Sequence, residues 1–436
     1  MDNMIKQSYF LSILTLSLIA VAYDAAAETL EHAWLVVNAE DMTIEAAQIR
    51  VRAAEAELAA AQGSRWPSLV ARASATRYNE TPAFDFGATG IPGQLPLFDG
   101  SSQLMADARV TLPVLTFGVI SNGVQAAESS VRAQRQGARV HAQDIRLAVA
   151  AIYIDVLRAS STLAVADSRT RSLESHVADV TDMYQTGAVA RNDLLAAEVL
   201  LADVRQRRLQ AQNGVELSKA AYNRALGRQL TASVDLDENL PALDSRLNAD
   251  SLPSLTETAL ATRAELAALQ SAAEAARAQA ESTRARSRPQ LALVGSYATL
   301  ENNFLNRQDF WSLALGVEWA VFDANRSRDQ ANALSLRSTA FYREYRDLQS
   351  VVELQVHSAW LQFNEAGSRV ELTQRAIGQS EENLRVARDR YRNGEGTNTE
   401  VLDAEDLHTL SQSNYDNARY DAAYARYRLA RAAGLL

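Results

Sequence analysis

Five histidines, 53 Asp and Glu residues and no cysteine are the raw material for any chemistry in this chain of 436 residues. His32, His141, His176, His357 and His408 are scattered, none shares HExxH spacing with another, and no thiolate is available to complete a zinc site. No GxSxG, P-loop or GxGxxG segment offers a nucleophile elbow or a phosphate cradle. Each histidine therefore reads as a helix-surface or packing residue. The sequence predicts no enzyme, no cofactor and no metal site. A net charge of −10 with no basic tract argues against nucleic acid as a partner.

The spacings that do recur are structural. Tyr184, Gly187, Asp193, Leu195, Ala197 and Glu198 reappear 207 residues later as Tyr391, Gly394, Glu400, Leu402, Ala404 and Glu405, and the match runs without a gap to Gly227 and Gly434. Upstream, Tyr153 matches Trp360 at the same offset, and Arg65-Trp66-Pro67 resembles Arg288-Pro289. Two halves share one order: helix, strand, loop, strand, long helix, turn, helix. Glycine accepts φ > 0 and suits a helix C-cap, so Gly187 and Gly394 mark helix-turn-helix tips at one end of the molecule. Asn192 or Asp193, and Thr397 or Asn398, are placed to cap the helices that follow.

Proline placement sets the element lengths. All eight prolines lie at or before Pro113 or within Pro241, Pro253 and Pro289, leaving 114–240 and 290–436 free of them. Proline in a helix interior costs about 3 kcal/mol, so these Ala-, Glu-, Arg-, Gln- and Leu-rich stretches read as long helices. From Gly118 to Gln185 one helix would run for about 100 Å. The reading is a first repeat over 28–227, with strands near 68–82 and 103–115 and long helices over 118–226. A linker at 228–253 follows. The second repeat, 254–436, has strands near 289–301 and 309–322 and long helices over 324–434.

The clearest strand alternates Trp311, Leu313, Leu315, Val317, Trp319 and Val321 with Ser312, Ala314, Gly316, Glu318 and Ala320. Trp311 and Trp319 stand about 26 Å apart along an extended chain, the height of a lipid-facing band with aromatic edges. Leu104 to Leu115 alternates in the same way; 68–78 and 290–300 do so less cleanly. Four strands cannot close a barrel, and lipid leaves an open edge with unpaired N–H and C=O groups. Joining two copies would give eight strands and three would give twelve.

Residues 1–27 read as a signal peptide: Lys6, an apolar run from Tyr9 to Ala22, and an A-x-A site at Ala25–Ala27. That run is too short to span a bilayer, and no other segment is expected to cross one as a helix.

The signal peptide, the repeated halves, the strand ends Leu115-Thr116-Phe117 and Val321-Phe322-Asp323, and the two Tyr-x-x-Gly tips resemble the TolC-like outer-membrane factors over nearly the whole mature chain. The resemblance implies a mainly α protein with a membrane β-barrel: a homotrimer of four strands per protomer, forming twelve strands continued by an α-helical barrel. It implies an outer-membrane location reaching into the periplasm, and service as the exit duct of a tripartite efflux or type I secretion system. The implied partners are a periplasmic adaptor (membrane fusion) protein, an inner-membrane pump or ABC-type exporter, and outer-membrane lipid. In the family, carboxylates of the second tip ring the periplasmic aperture; the matching positions are Glu400 and Asp403, which otherwise read as helix N-terminal acids favoured by the dipole. Gly187, Arg191, Asp193, Leu195, Gly394 and Leu402 fall where the tips turn and receive the adaptor. Where the family often carries an arginine that links to the position of Asp193, this chain has Gly396, and Arg191 or Arg392 is left to replace it. The second reading, from outside the family, is a secreted or surface coiled-coil protein without a channel.

Overall fold

The computed structural model describes residues 27–85, 87, 93–98, 100–241, 243–249, 251–300 and 306–436. Apart from Ala27, the expected signal peptide lies outside the described residues. The first half runs α1 (Leu30–Glu40), α2 (Met42–Gly63), β1 (Ser68–Arg77), a small hairpin of β2 (Ala83–Asp85) and β3 (Gln94–Pro96), β4 (Ser102–Leu115), α3 (Val119–Gln185) and α4 (Arg191–Ala225). A short α5 (Arg246–Ala249) precedes the second half: α6 (Leu252–Thr262), α7 (Ala264–Ala285), β5 (Gln290–Leu300), β6 (Asp309–Glu318), α8 (Arg326–Arg392) and α9 (Asn398–Ala432).

Corresponding helices have equal lengths: 11 residues for α1 and α6, 22 for α2 and α7, 67 for α3 and α8, 35 for α4 and α9. Elements before the strand pairs stand 222 residues apart in the two halves and those after them 207. The difference falls in the first hairpin's loop, which holds β2 and β3; Phe98 is buried there against Tyr78, ring centroids 5.5 Å apart. The backbone repeats as closely as the lengths. Gly187 and Gly394 take φ 75° and 74°, Gly227 and Gly434 take 69° and 73°, and Phe117 and Ala324 take 45° and 53°. Each of those glycines closes a Schellman turn; after α3, Ala188 N–H reaches Met183 O (2.8 Å) and Gly187 N–H reaches Tyr184 O (3.0 Å).

Four details differ from the pattern expected of the sequence. Each half opens with two helices where one was expected. Asp41 leaves the helical region at ψ 119°, and its carboxylate accepts the N–H groups of Thr43 and Ile44 at 2.8 and 2.9 Å, ending α1 and capping α2. Strand β1 ends at Arg77, short of 82. Strand β6 stops at Glu318, short of 322, because its last partner is Gln290 and Pro289 begins the turn behind it. Finally, α6 starts inside the stretch expected to be linker.

The strands form one antiparallel sheet in the order β1-β4-β5-β6. The helices that continue them pack in the same order, α2 on α3, α3 on α7 and α7 on α8. At the waist, where α1, α4, α6 and α9 meet the two long helices, there are two apolar cores, the first shared between the halves. One surrounds Tyr153, Tyr222 and Tyr427; the other surrounds Leu255, Val352, Val356 and Leu429. Tyr153 Oη lies 2.7 Å from both Glu28 O and Asp237 O, where the chain start pairs with the linker. Across the second core Glu265 accepts from Arg263 (2.7 Å) and Arg431 (2.5 Å), and Arg431 also reaches Asp144. Burial alone would raise the Glu265 pKa, but the two guanidiniums override it and hold the carboxyl at about 2.

Candidate functional site

Register turns four uneven strands into one two-faced sheet. Trp311, Tyr297, Ala108 and Ala71 pair in one row; Leu313, Gly295, Val110 and Leu69 in the next alternate row; then Leu315, Leu293 and Leu112. Paired residues share a face, so this face is apolar across its full width. The rows between read Arg72, Asp107, Ala298, Phe310 and then Val70, Arg109, Ser296, Ser312, the two serine hydroxyls lying 2.7 Å apart. Strands β1 and β5 looked irregular because alanine and glycine hold several of their apolar-face positions. Trp311 is 78% exposed and Trp319 56%, and the leucines between them are exposed as well. Trp319 stands just past the strand, its indole N–H donating to Ser287 O at 3.0 Å. Among the described residues both outer strands, β1 and β6, have a partner on one side only.

At the far end, two helical hairpins stand side by side. Gly187 and Gly394 sit in open turns, with no atom within 4 Å of where a Cβ would stand. Helix α4 starts at Arg191 after Ala190, which offers no side-chain cap, so Asn192 and Asp193 lie inside the first turn and do not cap it. Thr397 does cap α9, accepting from Glu400 N–H at 3.3 Å. Asn398 has a different task. It is buried, its Oδ1 lies 2.8 Å from His176 Nε2, and its amide nitrogen donates to Asp193 O at 3.1 Å. With the amide donating to Asp193, Oδ1 must accept, so His176 carries its proton on Nε2. One side chain thus binds α3 and α4 of the first half to α9 of the second. The Tyr391 ring packs on His176 at 5.6 Å, and burial, with the Asp193 carboxylate second, raises the phenol's pKa.

The expected acids divide by environment. Glu400 and Asp403 are exposed, three residues apart on one face of α9. Arg390 lies 3.4 Å from Glu400 and donates to Glu395 O at 3.0 Å. Among the described residues Asp403 and Asp193 form no ion pair. Neither candidate arginine reaches Asp193: Arg392 pairs with Asp179 at 2.7 Å, and Arg191 is exposed. Gly396 is tightly packed: a Cβ would stand 3.2 Å from Tyr391 N and from Glu400 Oε2 and 3.3 Å from Arg390 Cβ, so a side chain there would press on its neighbours. Leu195 is exposed, whereas Leu402 packs on the buried Leu173, Leu201 and Val204. Further up, the buried Glu405 accepts from Ser172 (2.8 Å) and pairs with Arg388. Asn398 was expected as a cap and His176 as a surface or packing residue; their contact, and the Glu405–Arg388 pair, left no sequence signal, because a lone histidine or acid on a long helix looks the same whether it meets solvent or a neighbouring hairpin.

A sheet apolar on one face and open at both edges, prolonged by helices of about 100 Å to a paired tip, defines an outer-membrane protein of the channel class. The chain belongs to the outer membrane efflux protein family, whose model matches residues 37–228 and 255–435. It is 23% identical over 414 residues to the outer membrane efflux protein BepC of Brucella suis biovar 1 (strain 1330), covering 94% of this chain and 86% of that protein. Its fold is similar to the crystal structure of VceC from Vibrio cholerae (TM-score 0.79, 18% identity, 93% of this chain and 96% of that one). It is also similar to the CmeC channel of Campylobacter jejuni (TM-score 0.79, 13% identity, 95% and 90%). The chain is accordingly an exit duct of a tripartite efflux system, set in the outer membrane and extending into the periplasm. The coiled-coil reading without a channel is not favoured.

Proposed function

We propose that three copies close a twelve-stranded barrel and a continuous helical tunnel. This homotrimer takes cargo from a periplasmic adaptor and an inner-membrane pump or ABC-type exporter. Passage is passive, with no catalytic step in this chain, and the duct opens at the periplasmic tip. The observation that carries the reading is the pair of strand edges on β1 and β6, which lipid cannot satisfy and a second copy can. The helices support it. On the β1 side, exposed Leu35, Met42 and Ile49 recur every seven residues on α1 and α2; on the β6 side, exposed Leu336, Leu354, Leu361 and Leu372 run down α8. The two apolar stripes flank the same seam as the open strands.

At the tip, three copies of Glu400 and Asp403 would set six carboxylates around the aperture, attracting cations and repelling anions. Gly187, Arg191, Asp193, Leu195 and Gly394 lie on the tip surface open to the adaptor, with Leu402 shaping the groove from beneath. The test is twofold. Detergent-extracted protein should have the mass of a trimer and conduct ions in planar bilayers. The double variant Glu400→Gln/Asp403→Asn should lose most of the wild-type preference for cations. A stable, non-conducting monomer would end this reading.

A further inference from the structure

Resting on the trimer just proposed, we infer that each subunit seam carries a binding site for the phosphate headgroup of an anionic phospholipid in the periplasmic leaflet. The geometry begins with the two edge turns. The turn from α2 to β1 holds Arg65 and Trp66, and the turn from β6 to α8 leads from Trp319 to Arg326 and Arg328. Within one chain these turns lie at opposite ends of the sheet order, beside β1 and β6. Pairing β6 of one copy with β1 of the next brings them together, so the site is incomplete without the second copy.

Trp66 is 73% exposed, and the arginines are exposed with no ion-pair partner among the described residues. Asp323 accepts Ser327 N–H at 3.0 Å on the first turn of α8, and that bond, with the Arg326 charge as a lesser cause, holds its carboxyl below the usual carboxylate range without an ion-pair contact to the guanidinium. The apolar row from Trp311 through Val317 reaches Trp319 at the same level, so the seam turns lie where the lipid-facing band ends. Indole rings favour the headgroup layer, and guanidinium forks match phosphate oxygens in pairs. Exposed tryptophan beside exposed arginines that enter no ion pair among the described residues, continuous with a lipid face, is complementary to an acyl chain topped by a negative headgroup.

The experiment uses the full-length trimer, delipidated and incubated with phosphatidylglycerol or phosphatidylcholine micelles, with retained lipid counted by native mass spectrometry. Phosphatidylglycerol should be retained at up to three per trimer and at least about tenfold more tightly than phosphatidylcholine. Raising NaCl from 0.1 to 1 M should erase most of that preference, and inorganic phosphate should not compete. The triple variant Arg65→Gln/Arg326→Gln/Arg328→Gln should lose it as well, while Arg385→Gln near the tip should keep it. Equal retention of the two lipids by the wild-type trimer overturns the site whatever the variant does. Competition by phosphate at millimolar concentration also overturns it, since a free-anion site would then explain the arginines. A wild-type protein that forms no trimer sinks the assembly instead.

Discussion

The two halves of the molecule share a backbone and have parted in chemistry. Their helices have equal lengths, and their Schellman glycines differ by no more than 4° in φ. Yet at the break between the two opening helices the first half caps α2 with Asp41, while the second puts Arg263 in the same place, uncapped and bound to Glu265. At the tips, Thr397 caps α9 where Ala190 leaves α4 bare, and Asn398 bridges three helices where Arg191 is exposed to solvent. Both copies hold glycine where the Schellman turns take φ > 0, whereas the strand-to-helix turn takes φ 45° at Phe117 and 53° at Ala324 with different residues. Positions that need only some polar partner admit many solutions, and each half found its own.

That contrast can be broken most forcefully at Glu265. Glu265→Ala would leave Arg263 and Arg431, both largely buried, short of their anion, and we expect a loss of about 3–5 kcal/mol in stability, read from denaturant midpoints. The same group gives a pH signature. Its pKa is depressed on folding, so its stabilisation is complete above about pH 4.5 and disappears as pH falls towards 2. Glu265→Gln should flatten that part of the acid-unfolding curve.

Next come the glycines. A Cβ at Gly434 would stand 2.5 Å from Thr262 Oγ1, whereas nothing lies within 4 Å at Gly187. Both alanine variants carry the left-handed backbone cost of about 1–2 kcal/mol, and Gly434→Ala should lose measurably more, seen as a lower thermal midpoint. At the tips, Asn398→Ala leaves the buried His176 Nε2–H without its acceptor and removes the amide's bond to Asp193 O, and should cost about 2 kcal/mol, while Arg191→Ala at the matching position should change stability by less than about 0.5 kcal/mol. Hydrogen exchange in the 176–193 segment would separate them. The smallest test is a cap exchange: Thr397→Ala should lose about 1 kcal/mol, and Ala190→Thr should gain a similar amount.

Much of the fold was legible because it is written in coarse patterns. Absent prolines marked α3 and α8, Gly187 and Gly394 marked their ends, and strict alternation from Trp311 to Val317 marked β6. Strands β1 and β5 were harder, since Ala71, Ala73 and Gly295 carry no hydropathy signal, and only pairing with β4 and β6 assigns them a face. The site was less legible. Glu400 and Asp403 were placed through resemblance, and the structure finds them exposed on one helix face. The bridge at His176 and Asn398 left no mark in the sequence, because its partners are 222 residues apart and each side chain alone is ordinary. Gly396 read as a missing arginine; the crowding around it is visible only once the turn is built.

Helix α3 passes from the sheet through the waist to the tip without a proline or a kink-forming break. Measured from Tyr153, packed in the waist core, the stretch to Gln185 is a rod of about 50 Å. A pivot of 10° at that fulcrum would swing the tip end by about 8 Å, while the arm above it, of nearly equal length, is held between α2 and α7. Leverage of this kind lets a modest push near the middle of the molecule become a wide displacement at its mouth.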